Sequence, residues 1–188
     1  MKVLLISLGL SSVVMANTVA DADLNLWQIT YRAETSFADG YTIEGQSNSF
    51  EGSFQYDGTD LFSIEGVVDP KSLSSGISSR DKSIVKIIFT DEEGNVPTLA
   101  FESEEVRGCE DVEEFRVCDV AGRFKVRNEW QPMDLKINLS EYGNQTWVNV
   151  SGEVSLAQYD FYERADAQIK VVDKVTFVVD LLSDEAME

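Results

Sequence analysis

Alternation of apolar and polar residues dominates the chain between residues 50 and 139. Three of the four pieces in this region repeat apolar residues at every second position: FEGSFQYDGTDLFSIEGVV, VPTLAFES and VAGRFKVRNEWQPMDLKINL. A sheet needs this pattern when one face lies in an apolar interior and the other faces water. The pattern therefore predicts antiparallel strands around a shared apolar interior.

An Asp-Gly pair, Asp57-Gly58, lies between the alternating runs 50–56 and 61–68. Asp-Gly in this position is a strong signal for a β-hairpin. Gly52 and Gly66 fall on the predicted inner face, which indicates bends or space for something large. The bulky residues predicted to face inward on the two arms are Phe50, Phe54, Tyr56, Phe62, Ile64 and Val68.

The fourth piece, SSRDKSIVKIIF, has helical rather than alternating spacing. It places Ile84, Val85, Ile88 and Phe89 on one face, which predicts a short amphipathic helix that caps the sheet. Arg80 and Asp81 are expected to form a structural ion pair that anchors this helix. Contact with a ligand head group is the alternative.

Further alternating runs begin at Pro97, Val120, Met133, Trp147 and Lys174, and the segment 38–49 resembles a strand interrupted by turns. We predict one all-β domain, an extended antiparallel β-barrel of eight strands with one or two short helices. The interior of such a barrel either fills with side chains or holds one slender ligand. The phenylalanines predicted to line this interior as a tunnel are Phe54, Phe62, Phe101, Phe124 and Phe177.

Two cysteines, Cys109 and Cys118, flank the sequence EDVEEFRV. A turn near Glu113 would place them opposite each other across a hairpin, which predicts a disulfide in an oxidising compartment. The alternative is a pair of metal thiolates. Because the chain has no histidine, a closed zinc site would need carboxylates to complete it, and we expect no metal.

The first residues, Lys2 followed by VLLISLGLSSVVMA, form an apolar run that ends in small residues. The run is too short to span a bilayer and is typical of a secretory signal peptide, so we predict a signal peptide at residues 1–20. Cleavage after Ala16 and cleavage after Ala20 both fit. An uncleaved anchor is the alternative, but no other stretch supports stable membrane insertion. The mature domain, residues 21–188, is expected to be soluble and periplasmic.

Charge and composition exclude several classes of function. With 15 basic and 34 acidic residues the formal net charge is −19, which disfavours nucleic acid and anionic membrane surfaces as partners. The acidic residues are interpreted as a solvated surface, with a docking patch for a basic partner as the alternative. The absence of histidine excludes Ser-His-Asp and Cys-His catalysis, so we expect no enzyme and no cofactor. Acid–base chemistry by two buried carboxylates stays open.

Several short motifs follow one another in a characteristic order: Gly52 with Phe54, Arg80-Asp81-Lys82, Pro97-Thr98 with Phe101 and Ser103, and Gly122 with Phe124 before the Trp130-Gln131-Pro132 turn. This order resembles the YceI-like family of bacterial periplasmic proteins. Tyr159-Asp160-Phe161 occupies the place of the family's Asp-Phe-Gly segment. The chain departs from the family in having no histidine, Gln158 where an Arg is common and Tyr162 where Gly would follow.

The resemblance implies a lipocalin-like barrel that binds polyisoprenoid or other long amphiphilic lipids in its interior. We therefore expect a periplasmic carrier or storage protein, as a monomer or a homodimer. Its ligand would be a polyisoprenoid, an isoprenoid quinone or a fatty-acid derivative. The alternative is an acidic periplasmic interaction protein with a filled core and no ligand.

Overall fold

The computed structural model describes residues 20–35, 42–56, 60–142, 145–159 and 171–183, and within them the fold is a curled antiparallel sheet. Its strands are β1 (Ala20–Thr35), β2 (Thr42–Ser47), β3 (Glu51–Tyr56), β4 (Leu61–Val68), β5 (Leu99–Val112), β6 (Phe115–Val126), β7 (Glu129–Tyr142), β8 (Gln145–Ser155) and β9 (Val171–Ser183). Helical segments are a 3₁₀ turn at Pro70–Ser72, the α-helix α1 (Ser78–Ile84), a π-helical turn at Val85–Phe89 and a 3₁₀ turn at Leu156–Tyr159.

The sheet closes on itself through its first and last strands. Strands β3 to β9 pair in sequence, and β1 pairs with both β3 and β9. Ile29 pairs with Ser47 of β2, and Asp23 pairs with Ser53 of β3. The separation from Asp23 to Ile29 along β1 equals the separation from Ser47 to Ser53 along the facing segment, so the pairing register continues from β2 into β3. β2 and β3 are therefore two halves of one interrupted strand. The ring has eight strand positions, which confirms the predicted eight-stranded barrel.

Period-two rows of side chains form the core, as the alternation predicted. On β7, Met133, Leu135, Ile137 and Leu139 are buried while the residues between them are more exposed. Each fully buried aliphatic side chain of this kind stabilises the fold by roughly 1.5–3 kcal/mol relative to exposure. The barrel therefore has a continuous apolar interior.

A β-bulge reverses the predicted direction of Phe62. Gln55 pairs with Ser63 and Tyr56 pairs with Leu61, so Phe62 is the extra residue on β4. Leu61 is 2% exposed, whereas Phe62 is 47% exposed. The prediction that Phe62 faces the interior is wrong, because the bulge interrupts the alternation that would otherwise carry it inward from Ile64.

The predicted short helix is present and begins at Ser78, before its apolar face. We call α1 and the following π-helical turn, residues 78–89, the helical cap. Its N-terminal end is tied to the preceding loop through Ser75. Arg80 donates from Nε to the Ser75 Oγ (2.7 Å) and from Nη2 to the Ser75 carbonyl (2.9 Å). Asp81 accepts from the Ser75 N–H (2.9 Å), so both charged side chains anchor the cap at one residue.

The predicted disulfide between Cys109 and Cys118 is confirmed, with the sulfur atoms 2.02 Å apart. The two cysteines face each other across the β5–β6 hairpin, whose turn includes Glu113 at a φ of 55°. By the chain-entropy estimate, closing so short a loop stabilises the fold by roughly 2–3 kcal/mol.

Some predictions fall on residues outside the described part of the chain. They include the signal peptide up to residue 19, the Asp57-Gly58 turn and the segment from Asp160 to Tyr162. Within the described part, no helix has the length and apolar character needed to cross a membrane.

Candidate functional site

The interior of the barrel contains a cavity of about 200 Å³. On the same measure, a cavity holds a single water molecule once it reaches roughly 10–15 Å³. The cavity is therefore larger than a packing defect by about an order of magnitude, and the barrel core is not filled. Carbon atoms form nearly all of its surface. An apolar space of this kind fits a hydrocarbon chain better than a polar substrate.

Alternate residues of the strands supply most of the cavity wall. β1 contributes Ile29, Tyr31 and Ala33, and the antiparallel partner β9 contributes four residues at every second position. The helical cap adds three of the four residues that its spacing predicted on one face, and the fourth, Val85, does not line the cavity. The residues from β9 and the cap are Val175, Phe177, Val179, Leu181, Ile84, Ile88 and Phe89.

Glycines on the wall leave room for the aromatic rings beside them. A Cβ atom added at Gly66 would lie 2.7 Å from Cε2 of Phe50, and one at Gly152 would lie 2.8 Å from Cζ of Phe177. Real Cβ atoms essentially never come this close to another atom, so the rings occupy space that a side chain would take. This explains the inward glycine predicted at position 66. The rings lie along the wall and leave the centre empty.

Three of the five predicted tunnel residues line the cavity, namely Phe101, Phe124 and Phe177. The rings of Phe124 and Phe177 stack with centroids 6.4 Å apart and an interplanar angle of 20°. Phe54 faces inward but is 1% exposed and packs in the filled part of the core, where it stacks on Tyr56. Phe62 lies on the outer surface, as described above.

Sequence reasoning missed Tyr31 as a cavity residue, although its alternation with Ile29 was visible. Tyr31 is half-buried and lines the cavity. Burial raises the pKa of its hydroxyl, the negative charge of Asp81 raises it further, and Arg80 opposes the shift. The phenol therefore stays protonated at neutral pH and can donate a hydrogen bond.

Asp81 carries a negative charge near this wall. Burial alone would raise the pKa of its carboxyl group, but hydrogen bonds from Ser75 and Ser74, together with Arg80, bring the pKa below its ordinary value. The carboxylate is therefore ionised at neutral pH. It holds the loop 74–75 against the start of α1.

The C-terminal end of the helical cap is held by the β6–β7 turn. Arg127, at a φ of 58°, donates from Nε to the carbonyl oxygen of Ile88 (2.6 Å) and from Nη2 to that of Ile87 (3.0 Å). Ile88 lines the cavity, so this contact fixes part of the cavity wall. Charged side chains thus hold the cap at both ends, to the loop residue Ser75 at its start and to the β6–β7 turn of the barrel at its end.

Two kinds of group are relevant to catalysis and metal binding in the part of the chain that the structure describes, namely buried carboxylates and clusters of metal ligands. Among the Asp and Glu residues whose side chains the structure describes, none is buried, so no pair of buried carboxylates for acid–base chemistry is found among these. The described part of the chain contains no cluster of His, Cys, Asp and Glu that could hold a metal ion.

A family model described as the YceI-like domain matches residues 22–182 of the chain. Among curated proteins, none matches. The matched range covers every strand described above except the first two residues of β1 and the last residue of β9.

Several solved structures have the same fold. BcnA from Burkholderia cenocepacia has a TM-score of 0.64 at 13% identity, covering 82% of this chain and 95% of BcnA. A polyisoprenoid binding domain from Saccharophagus degradans, implicated in plant cell wall breakdown, has a TM-score of 0.62 at 14% identity, covering 90% of this chain and 99% of that domain. The Campylobacter jejuni YCEI protein has a TM-score of 0.62 at 8% identity, covering 76% and 85%. At these identities the likeness establishes the fold.

Proposed function

Because the chain belongs to the YceI-like family, we propose that it is a periplasmic carrier or storage protein that binds a long-chain amphiphilic lipid inside its barrel. The observation that carries this proposal is the apolar cavity of about 200 Å³ in the barrel interior. The polyisoprenoid binding domain from Saccharophagus degradans, which has the same fold, supports the ligand class. The ligand is a polyisoprenoid, an isoprenoid quinone or a fatty-acid derivative, and the role is binding rather than catalysis.

The driving force for binding is the transfer of the hydrocarbon tail out of water. Each CH₂ group that enters a dry apolar cavity contributes about 0.8 kcal/mol. Phe101, Phe124 and Phe177 contact the tail, since all three line the cavity. Phe54 and Phe62 do not contact the tail, because Phe54 packs in the filled part of the core and Phe62 faces outward.

The proposed role includes export of the protein to an oxidising compartment. The Cys109–Cys118 disulfide fits such a compartment, because structural disulfides are rare in the cytosol. β1 begins at Ala20, which pairs with Tyr56. Signal-peptide cleavage after Ala16 keeps this pair in the mature protein, so we favour Ala16 over Ala20. N-terminal sequencing of the secreted protein tests this choice.

The proposal is tested by extracting the natively purified protein with organic solvent and identifying lipids by mass spectrometry. We expect a long-chain lipid in stoichiometric amount. Ala33→Phe fills the cavity, since Ala33 lies in its wall, and should abolish the co-purified lipid. Ala121→Phe is the matched control, because Ala121 lies on β6 outside the cavity wall.

An empty extract from the wild-type protein, together with no uptake of added isoprenoid quinone or fatty alcohol, would contradict lipid carriage. Equal lipid content in the two variants would show that the lipid binds elsewhere. The alternative of an acidic interaction protein with a filled core is disfavoured by the cavity.

A further inference from the structure

The cavity ends part-way along the barrel. On β7, Leu135 lines it, whereas Ile137, the next residue on the same face, is fully buried and does not. On β8, Val150 lines it, whereas Val148 is fully buried and does not. Ile137 and Val150 are pairing partners, so the two strands leave the cavity at neighbouring levels of the sheet. Beyond this level the interior is filled with side chains.

A layer of packed side chains closes the cavity at this end. Four of its members are at most 1% exposed, belong to the same apolar cluster as the cavity wall, and each pairs across the sheet with a residue that lines the cavity. We call these four residues the floor. The floor residues and their partners in the wall are Phe54 with Ile64, Val120 with Leu135, Ile137 with Val150 and Val148 with Leu181. A tail that reaches the floor meets a close-packed core, which resists further entry.

The opposite end of the cavity is covered less tightly. The helical cap lies there, at the end of β6 that leads to Arg127 and away from the floor residue Val120. The cap supplies three residues of the wall, yet none of its own residues is buried. The wall has almost no polar surface, so a polar head group inside would lose its hydrogen bonds to water without replacement. The cap end is therefore the more accessible one, and a head group is more stable outside the cavity.

The length of the wall matches that of one lipid tail. On β9 the wall extends from Val175 to Leu181, which are six residues apart. At about 3.3 Å per residue this is a path of roughly 20 Å along the strand. Strands of a barrel tilt by about 40° from its axis, so the depth of the cavity is roughly 15 Å. Half of the hydrocarbon core of a bilayer is also roughly 15 Å thick, which is the space that one tail occupies.

We propose that the cavity is a tunnel closed at one end, and that the floor sets the length of hydrocarbon tail that the protein recognises. The tail enters beneath the helical cap and extends to the floor. Carbon atoms beyond the length of the tunnel stay in water and add nothing to the affinity. This inference rests on the proposed lipid-binding function, and it adds the length of the tail and the residues that determine it.

The test uses a series of alkyl maltosides, from octyl to octadecyl, which share one neutral head group and differ only in tail length. Each displaces the dye N-phenyl-1-naphthylamine from the purified, delipidated protein at concentrations below those at which the maltoside forms micelles. We expect the affinity of the wild-type protein to rise about fourfold for each added CH₂ group while the tail is still filling the tunnel. The affinity should then stay constant for tails longer than roughly 12–16 carbons.

Ile137→Ala should deepen the tunnel, because Ile137 belongs to the floor. The carbon atoms removed leave space for about two to three CH₂ groups, so the affinity should keep rising for tails longer by about two carbons. Leu139→Ala is the matched control, because Leu139 is 2% exposed, lies on the same face of β7 and pairs with the floor residue Val148. The floor separates Leu139 from the cavity, so the control should lose stability in the same way without any change in the preferred tail length.

An affinity that rises by the same factor per CH₂ group up to octadecyl maltoside in the wild-type protein would overturn the inference. The same limiting tail length in Ile137→Ala and Leu139→Ala would also overturn it. The wild-type series needs no variant, and the smaller deletion Ile137→Val should lengthen the limit by about one carbon if the alanine variant does not fold. Lipid binding itself would persist in these outcomes. Failure of every maltoside to displace the dye would instead contradict the proposed function.

Discussion

Phe177 lies across the backbone of Gly152, its pairing partner on the neighbouring strand β8. The atoms that would meet a Cβ at position 152 all belong to the ends of flexible side chains, those of Phe177, Leu135 and Met133. These ends can move, and Phe177 and Leu135 both line the cavity. The absence of a side chain at Gly152 therefore affects the width of the cavity.

Gly152→Ala should narrow the cavity while leaving the fold intact. The added methyl group displaces the Phe177 ring, and the cavity is the open space available to it. We expect weaker uptake of long-chain ligands. The free energy of unfolding should fall by no more than the lower end of the about 1–3 kcal/mol that an added methylene costs in a filled core, because the displaced side chains can move into the cavity. Ligand titration and urea unfolding of the same preparation measure both effects.

Gly122→Ala is the comparison, because a Cβ there would meet the Glu102 carbonyl oxygen as well as the Phe101 ring. Backbone cannot move aside as a side chain can, so this variant should lose about 1–3 kcal/mol of stability. Equal stability of the two variants would contradict the distinction between a contact with side chains at position 152 and a contact with backbone at position 122. Adding Phe177→Leu to Gly152→Ala should restore ligand uptake.

Removal of the disulfide should lower stability without affecting the cavity. For Cys109→Ser combined with Cys118→Ala, we expect the free energy of unfolding to fall by roughly 2–3 kcal/mol, because the unfolded chain gains the entropy of an open loop. Ligand affinity should stay the same, since neither sulfur lines the cavity. Urea unfolding of oxidised and reduced wild-type protein should show the same difference. An unchanged unfolding midpoint would contradict the estimate.

Loss of the Arg127 side chain should loosen the helical cap. Hydrogen bonds from a charged donor contribute about 1.5–3 kcal/mol, and Arg127 makes two to the carbonyl groups of Ile87 and Ile88. In Arg127→Ala we expect faster amide exchange in residues 84–90 and ligand release that is faster by about tenfold or more. Stopped-flow displacement and hydrogen-exchange mass spectrometry measure these quantities.

Arg127→Lys should show an intermediate effect, because an ammonium group keeps the charge but not the fork of donors. Arg123→Ala is the control variant, since Arg123 pairs with Glu102 away from the cap. Release at the wild-type rate in Arg127→Ala would mean that ligand leaves by another route.

Tyr159 makes stability sensitive to alkaline pH. Its hydroxyl donates to the Phe124 carbonyl (2.8 Å), and burial, aided by the charge of Glu129, raises its pKa well above the ordinary value. The unfolded tyrosine has a pKa of about 10, so the contribution is complete below that pH and is lost as the pH rises above about 10. Tyr159→Phe should be less stable than wild type at pH 8 and should lose less stability between pH 8 and pH 11. Equal losses of unfolding free energy in the two proteins between pH 8 and pH 11, measured by urea unfolding, would contradict this prediction.

Strand alternation was sufficient to predict the barrel and the inward direction of Phe101, Phe124 and Phe177. These residues lie in regular stretches of β5, β6 and β9, where a period of two determines the side that a residue faces. The disulfide followed from hairpin symmetry about Glu113. The helical cap followed from the spacing of Ile84, Val85, Ile88 and Phe89, of which all but Val85 line the cavity.

Phe62 and Phe54 show where alternation stops being informative. The bulge that turns Phe62 outward depends on the register of β4 against β3, which is set by tertiary pairing rather than by local sequence. Phe54 does face inward, but whether an inward ring borders empty space depends on its neighbours around the whole barrel. The attachment of the cap by Arg127 joins distant segments, and no local pattern reveals it.

The pairing of β1 with β9 has a consequence for biogenesis. Ile29 can pair with Val179 only after all the strands between them have been synthesised, so the barrel cannot close until β9 has been made. Contacts so distant in sequence are slow to form, which leaves the polypeptide open during and after translation. Such a delay fits the export that we propose, in which the chain crosses a membrane unfolded and forms its interior afterwards.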